Sequence, residues 1–204
     1  MAYSFSDSIQ QAFAGLVSDQ QLSLSSEEWA ALTAVVYPLN LEKGAYFLEA
    51  GDISNRMAFL FSGLLRVFER VEDREFTSYF NVFPRNPIVC GYTSFITQRA
   101  ATESIQALEP CQLVAISHPD LHKLYRQFPI FQQLGRILME QNYVASMKRI
   151  HSLQHASAKD RYLQLLTKYP DLMNRIPHHY IASYLGITPE SLSRIRRQLK
   201  HSLP

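Results

Sequence analysis

The chain has 204 residues, 47% hydrophobic and 19% charged, the balance of an ordinary globular protein and not of a disordered one, and its length suits one large domain, or a moderate domain with a small one appended. Two cysteines, Cys90 and Cys111, are too few for a disulfide framework or an all-cysteine iron–sulfur site; with no run of about 18 apolar residues and no signal-peptide pattern, a cytoplasmic protein without a membrane partner is expected. The formal charge of +2 is uneven: residues 1–150 carry 12 Lys and Arg against 15 Asp and Glu, whereas residues 151–204 carry 8 against 3, so an anionic partner is expected for the C-terminal part.

Residues 1–38 read as helical, with Ser25-Ser26-Glu27-Glu28 ahead of Trp29 and Leu32 as a capped helix start and Pro38 as the breaker. Residues 39–117 then alternate short apolar runs with turn residues. The runs are Tyr46–Leu48, Met57–Phe61, Leu64–Arg70, Phe76–Phe83, Ser104–Leu108 and Gln112–Ile116, and Gly51-Asp52, Ser62-Gly63, Glu72-Asp73-Arg74 and Glu109-Pro110 are among the separators. This pattern predicts an antiparallel barrel or double-sheet roll. Pro119 opens a second helical region. A long helix over Ile130–Leu153 carries Leu134, Ile137, Leu138, Val144, Met147 and Ile150 on more than one face. Such a helix needs two neighbours, either its own barrel and a second copy of the chain, or two elements of one monomer. Ser157 caps a further helix, Ala158–Lys168, with Asp160 in its first turn and Pro170 beyond its end.

The strongest motif runs from Pro177 to Arg197. Pro177 suits a helix start, Ile181, Ala182 and Leu185 form an apolar face, and Gly186 ends the helix in a conformation that glycine tolerates. Thr188 caps a second helix with Pro189 at its first position, and Leu192, Ile195 and Leu199 face inward. At 100° per residue Glu190, Arg194 and Arg197 fall opposite that stripe, with Ser193 and His201 beside them. A guanidinium can donate twice to guanine and a carboxylate can accept from cytosine, so the pattern predicts a helix-turn-helix whose second helix would read double-stranded DNA. The DNA-binding residues are taken as Thr188, Pro189, Glu190, Ser191, Arg194, Arg196, Arg197 and Lys200, with Arg196 and Lys200 on the flanks, where phosphate contact is natural.

Thr188-Pro189-Glu190-Ser191-Leu192-Ser193-Arg194 resembles the recognition helix of the catabolite-activator/fumarate–nitrate-regulator (Crp/Fnr) superfamily, which carries Glu, then Thr or Ser, an apolar residue, and Arg four positions after the Glu. Pro189 stands where some members have a further arginine. Gly44, Gly51 and Gly63 sit at spacings similar to those of the turn glycines of the family's cyclic-nucleotide-binding barrel. The resemblance implies an α+β architecture: a sensor domain over 1–128 built as an N-terminal antiparallel β-roll, a dimerisation helix and hinge over 129–155, and a helix-turn-helix domain over 156–204. With only a few residues between Pro170 and Pro177, the wing is expected to be reduced or missing. The implied function is a homodimeric, sequence-specific transcription regulator on a palindromic site, with RNA polymerase as a further partner and no enzyme activity.

The resemblance also implies a phosphate-binding cassette at Gly91, Tyr92, Arg99, Ala100, Ala101 and Thr102. Tyr92 occupies the place of a glutamate that would accept from a ribose hydroxyl, and a phenol substitutes for it poorly. A cyclic nucleotide, another ligand, and a barrel kept as a dimer scaffold all remain open. Other chemistries find little support. The first histidine, His118, comes after the barrel, which excludes a cupin-type metal site, and the pairs His118/His122 and His151/His155 read as surface positions. Cys90 and Cys111 read as buried thiols. The alternative reading is a ligand-binding or protein-interaction module whose C-terminal helices pack or dimerise without touching DNA.

Overall fold

The computed structural model describes residues 22–202, so the start of the helical region expected before Pro38 lies outside the described residues. Helix α1 (Ser26–Thr33) opens on a reciprocal cap. The Glu28 N–H donates to Ser25 Oγ at 3.3 Å, and the Ser25 N–H donates to Glu28 Oε2 at 2.7 Å. The helix stops well before Pro38, which corrects the expectation that the proline is the breaker. Pro38 lies inside strand β1 (Val36–Leu41), opposite Val114. A strand tolerates proline where it pairs on one side alone, and β1 is the edge of its sheet.

Strands β2 (Tyr46–Leu48), β3 (Arg56–Ser62), β4 (Leu64–Val71), β5 (Arg74–Val82), β6 (Ile88–Val89), β7 (Glu103–Ala107) and β8 (Cys111–Ser117) complete two four-stranded sheets, ordered β1-β8-β3-β6 and β2-β7-β4-β5. The paired strands run antiparallel, with Leu39 opposite Leu113, Met57 opposite Ile116 and Ala58 opposite Val89. Leu60, Leu64, Leu65, Val67, Val89 and Ile105 are fully buried and make the core of the roll. β6 is too short to register as an apolar run. Helix α2 (Tyr92–Thr97) has no sequence counterpart either, because its six residues are too few for a periodic signal.

Helix α3 (His118–Gln127) is capped by Ser117 and closes on Phe128, whose extended backbone separates it from α4 (Pro129–His155). Helix α5 (Ala158–Lys168) is capped by Ser157, and a 3-10 turn (Pro170–Asn174) leads to α6 (His178–Leu185) and α7 (Pro189–Ser202). Among the described residues no strand follows β8. Compactness divides the chain into residues up to Val67 with Phe80–Gln141, and Phe68–Tyr79 with residues from Asn142 onward. The two units part inside α4, and the tip of the β4–β5 hairpin groups with the C-terminal helices. A continuous helix carries no local mark of such a division.

Candidate nucleic-acid interface

Helices α6 and α7 meet through Ile181, Ala182, Leu185, Leu192 and Ile195, all buried. Ala182 is fully buried and has no side chain beyond Cβ. Gly186 has φ +67°, the left-handed conformation that costs an L-residue roughly 1–2 kcal/mol. Its N–H donates to the Ser183 carbonyl and the Ile187 N–H to the Ala182 carbonyl, which turns the chain sharply into α7. The Ser191 N–H donates to Thr188 Oγ1 at 3.3 Å, the expected cap, and Pro189 stands first in the helix.

With Leu192 and Ile195 turned inward, Glu190, Arg194 and Arg197 are exposed together on the outer face of α7, as are Thr188 and Pro189 beside its start. The pKa of Glu190 is lowered by its own backbone N–H and then by the Thr188 hydroxyl, so it is a stable acceptor. Ser191 is half-buried, and its hydroxyl accepts from Thr188 Oγ1 at 3.3 Å. Arg196 is half-buried, not free on the flank: its guanidinium contacts the His178 ring at the start of α6. Lys200 belongs to α7.

Three residues that sequence reasoning missed hold α6 in place. Arg161 of α5 donates from Nε and Nη2 to the Leu185 carbonyl at 3.1 and 2.9 Å, and from Nη1 to the Ala156 carbonyl at 2.6 Å. Arg149 of α4 donates to the Tyr184 carbonyl and stacks on the Tyr184 ring. Both cations therefore sit at the negative end of α6, where the last carbonyls lack helical partners. Ser183 Oγ donates to the Glu75 carbonyl at 2.7 Å and accepts from the Thr77 N–H at 2.8 Å, which ties the hairpin tip to α6.

Of the cassette residues, Gly91 precedes α2 and Tyr92 opens it. A Cβ at Gly91 would meet Leu48 Cδ2 at 2.3 Å, so a side chain there would displace the Leu48 methyl. Ser94 Oγ donates to the Arg99 carbonyl at 2.5 Å and closes the loop. Arg99, Ala100 and Thr102 are exposed, whereas Ala101 is buried and its N–H is taken by the Asp52 carbonyl at 2.8 Å. Tyr92 is half-buried; burial first, then Cys90 and Glu103, raise its pKa, so the phenol stays protonated. Cys90 and Cys111 are both buried and are not disulfide-bonded. His118 is half-buried, not a surface position, and its ring stacks between Phe95 and His122, with centroids at 4.9 and 4.2 Å. Among the described residues no group of three or more His, Cys, Asp and Glu could hold a metal ion, and no helix is long and apolar enough to cross a membrane.

Residues 38–128 match the family model of the cyclic nucleotide-binding domain. No curated protein sequence matches the chain. Among solved structures, the c-di-GMP responsive global regulator CLP of Xanthomonas campestris is similar at 15% identity and TM-score 0.70, over 87% of this chain and 93% of that one. FixK2 of Bradyrhizobium japonicum gives 14% and 0.68 over 82% and 86%. The catabolite activator protein of Thermus thermophilus gives 21% and 0.54 over 92% and 87%.

Proposed function

We propose that this chain, whose residues 38–128 belong to the cyclic nucleotide-binding domain family and whose fold is of the Crp/Fnr type, is a homodimeric transcription regulator that reads a palindromic DNA site through α7. The observation that carries the reading is the outer face of α7, where Glu190, Arg194 and Arg197 stand exposed on a helix held from behind by Leu192 and Ile195. A carboxylate beside two guanidiniums is the donor and acceptor set that distinguishes C·G from A·T pairs in the major groove. The basic balance of residues 151–204 supports the same partner.

A dimer is supported by α4. Met139, Tyr143, Ile150 and Leu153 are exposed apolar side chains at alternating three- and four-residue spacing once Ser146 is counted between them. That seam suits a second copy of the same helix. Two copies of α7 would then enter major grooves about one helical turn, or roughly 34–36 Å, apart.

Selection of bound duplexes from a random library, with the affinity of the winner followed against salt, tests this directly. A palindrome with half-sites about 10 bp apart and steeply salt-dependent binding is the expected result. Recovery of no motif, with weak binding indifferent to salt, would leave the chain a ligand-binding or protein-interaction module.

A further inference from the structure

An apolar pocket of about 120 Å³, open to one side, lies between the β1-β8-β3-β6 sheet, α3 and the first turns of α4. Ala58 and Ala115 lie on the sheet side, Leu124 is contributed by α3, and Phe131, Leu134 and Leu138 by α4. Among the residues that line it, Tyr125 alone carries a polar side-chain group. The cavity shares no residue with the Gly91–Thr102 cassette, so it is a separate place in the fold.

Its size and chemistry restrict what it can take. An engineered apolar cavity of about 150 Å³ stays dry and accepts benzene or xenon. Water needs two to four polar partners, and these walls offer one hydroxyl. A nucleotide needs several convergent polar groups and a pocket of at least roughly 300 Å³. Gly135 shapes the wall: a Cβ there would meet the Tyr125 hydroxyl at 2.5 Å, so the glycine is what lets that hydroxyl lie against α4. Gln132 Nε2 donates to the Tyr125 carbonyl at 2.5 Å and fixes α3 to α4 beside the cavity.

We infer that this cavity is a binding site for a small, neutral, predominantly apolar molecule of about the size of a single aromatic ring, with Tyr125 offering its one hydrogen bond. The site is independent of DNA reading, so its test stands whether or not α7 binds DNA. An occupant would be packed by Phe131, Leu134 and Leu138 and would stiffen the start of the helix that continues to His155.

The test is thermal unfolding of the whole chain titrated with benzene, with cyclic AMP as the contrasting addition. A saturable rise in Tm of about 2–5 °C is expected at benzene near ten times its Kd. The rise should vanish in Leu134→Phe, whose ring fills the space. No saturable rise in the wild-type chain, or an equal rise in Leu134→Phe, overturns the inference. Should Leu134→Phe fail to fold, Leu134→Ala enlarges the cavity and should respond to naphthalene, which the wild-type chain rejects; an equal response of both chains overturns the site.

Discussion

Arg149 lies over the ring of Tyr184, its guanidinium carbon 3.9 Å from the ring centroid, while donating to the backbone carbonyl of the same residue. Arg161 acts likewise one residue on, with two hydrogen bonds to the Leu185 carbonyl. Each cation has given up water to reach its place; burial foremost lowers the pKa of Arg149, with Tyr184 opposing and the neighbouring Arg161 adding to the effect. The arrangement persists because free carbonyls at a helix C-terminus are strong acceptors for charged donors. Arg161→Met keeps most of the aliphatic stem and removes the three donor groups. It is expected to lower stability by about 2–4 kcal/mol, read as a shift in the urea midpoint, without altering the base preference recovered by selection. A changed preference would mean that Arg161 contacts DNA itself.

Ser183 serves two backbone groups of the hairpin with one hydroxyl, as acceptor for the Thr77 N–H and donor to the Glu75 carbonyl. Thr77 is 4% exposed, so water does not readily take the place of that hydroxyl. Ser183→Ala is expected to cost roughly 1–2 kcal/mol and to speed amide exchange at the hairpin tip, residues 72–77, above all other segments. Exchange unchanged at the tip would show that other interactions hold the hairpin.

The elements that are legible in sequence are those with local chemistry at both ends. Ser157 and Asp160 mark the start of α5, and Thr188-Pro189 that of α7, because capping acts within a few residues. Pro38 misleads for the same reason: locally it is a breaker, and only its place on a sheet edge, set by pairing with β8, makes it a strand residue. The outer face of α7 is readable because one helix fixes the angles among Glu190, Arg194 and Arg197. Arg149, Arg161 and Ser183 are not readable. Their partners lie 35, 24 and as many as 108 positions away, and no periodicity within one segment encodes a pairing at that range.

The seam on α4 yields a test of assembly. Tyr143 is 66% exposed and Ile150 is 45% exposed. Placing glutamates at both positions leaves the core untouched and would oppose like charges across a two-fold seam. Tyr143→Glu with Ile150→Glu is expected to halve the mass seen by sedimentation and to leave Tm measured on the monomer within a few degrees. An unchanged mass would place any self-association elsewhere.

Tyr92 bears on the effector. A carboxylate in its place would accept a charged hydrogen bond, worth about 1.5–3 kcal/mol, whereas a phenol kept protonated by burial beside Glu103 cannot. Titration of the chain with cyclic AMP up to about 1 mM is expected to show neither heat of binding nor a rise in Tm. A Kd in the micromolar range would mean that Arg99 and the Ala100 N–H suffice to hold the phosphate without the ribose hydrogen bond.

Arg194 and Arg196 lie two residues apart on α7 and separate the two kinds of DNA recognition. Arg194 is exposed on the face that carries Glu190, whereas Arg196 is half-buried and leans on His178. A base contact is directional and sequence-bound; a phosphate contact is neither. Arg194→Ala should therefore cost roughly 1–3 kcal/mol on the selected site and relax the preference at one position of each half-site. Arg196→Ala should weaken all duplexes alike and reduce the slope of log affinity against log salt by about 0.9 for each phosphate it would otherwise neutralise. Measuring both variants on the selected site and on a scrambled duplex, at several salt concentrations, distinguishes the roles. Equal weakening on both duplexes for Arg194→Ala would move that residue to the phosphate backbone and leave Glu190 and Arg197 to read the bases.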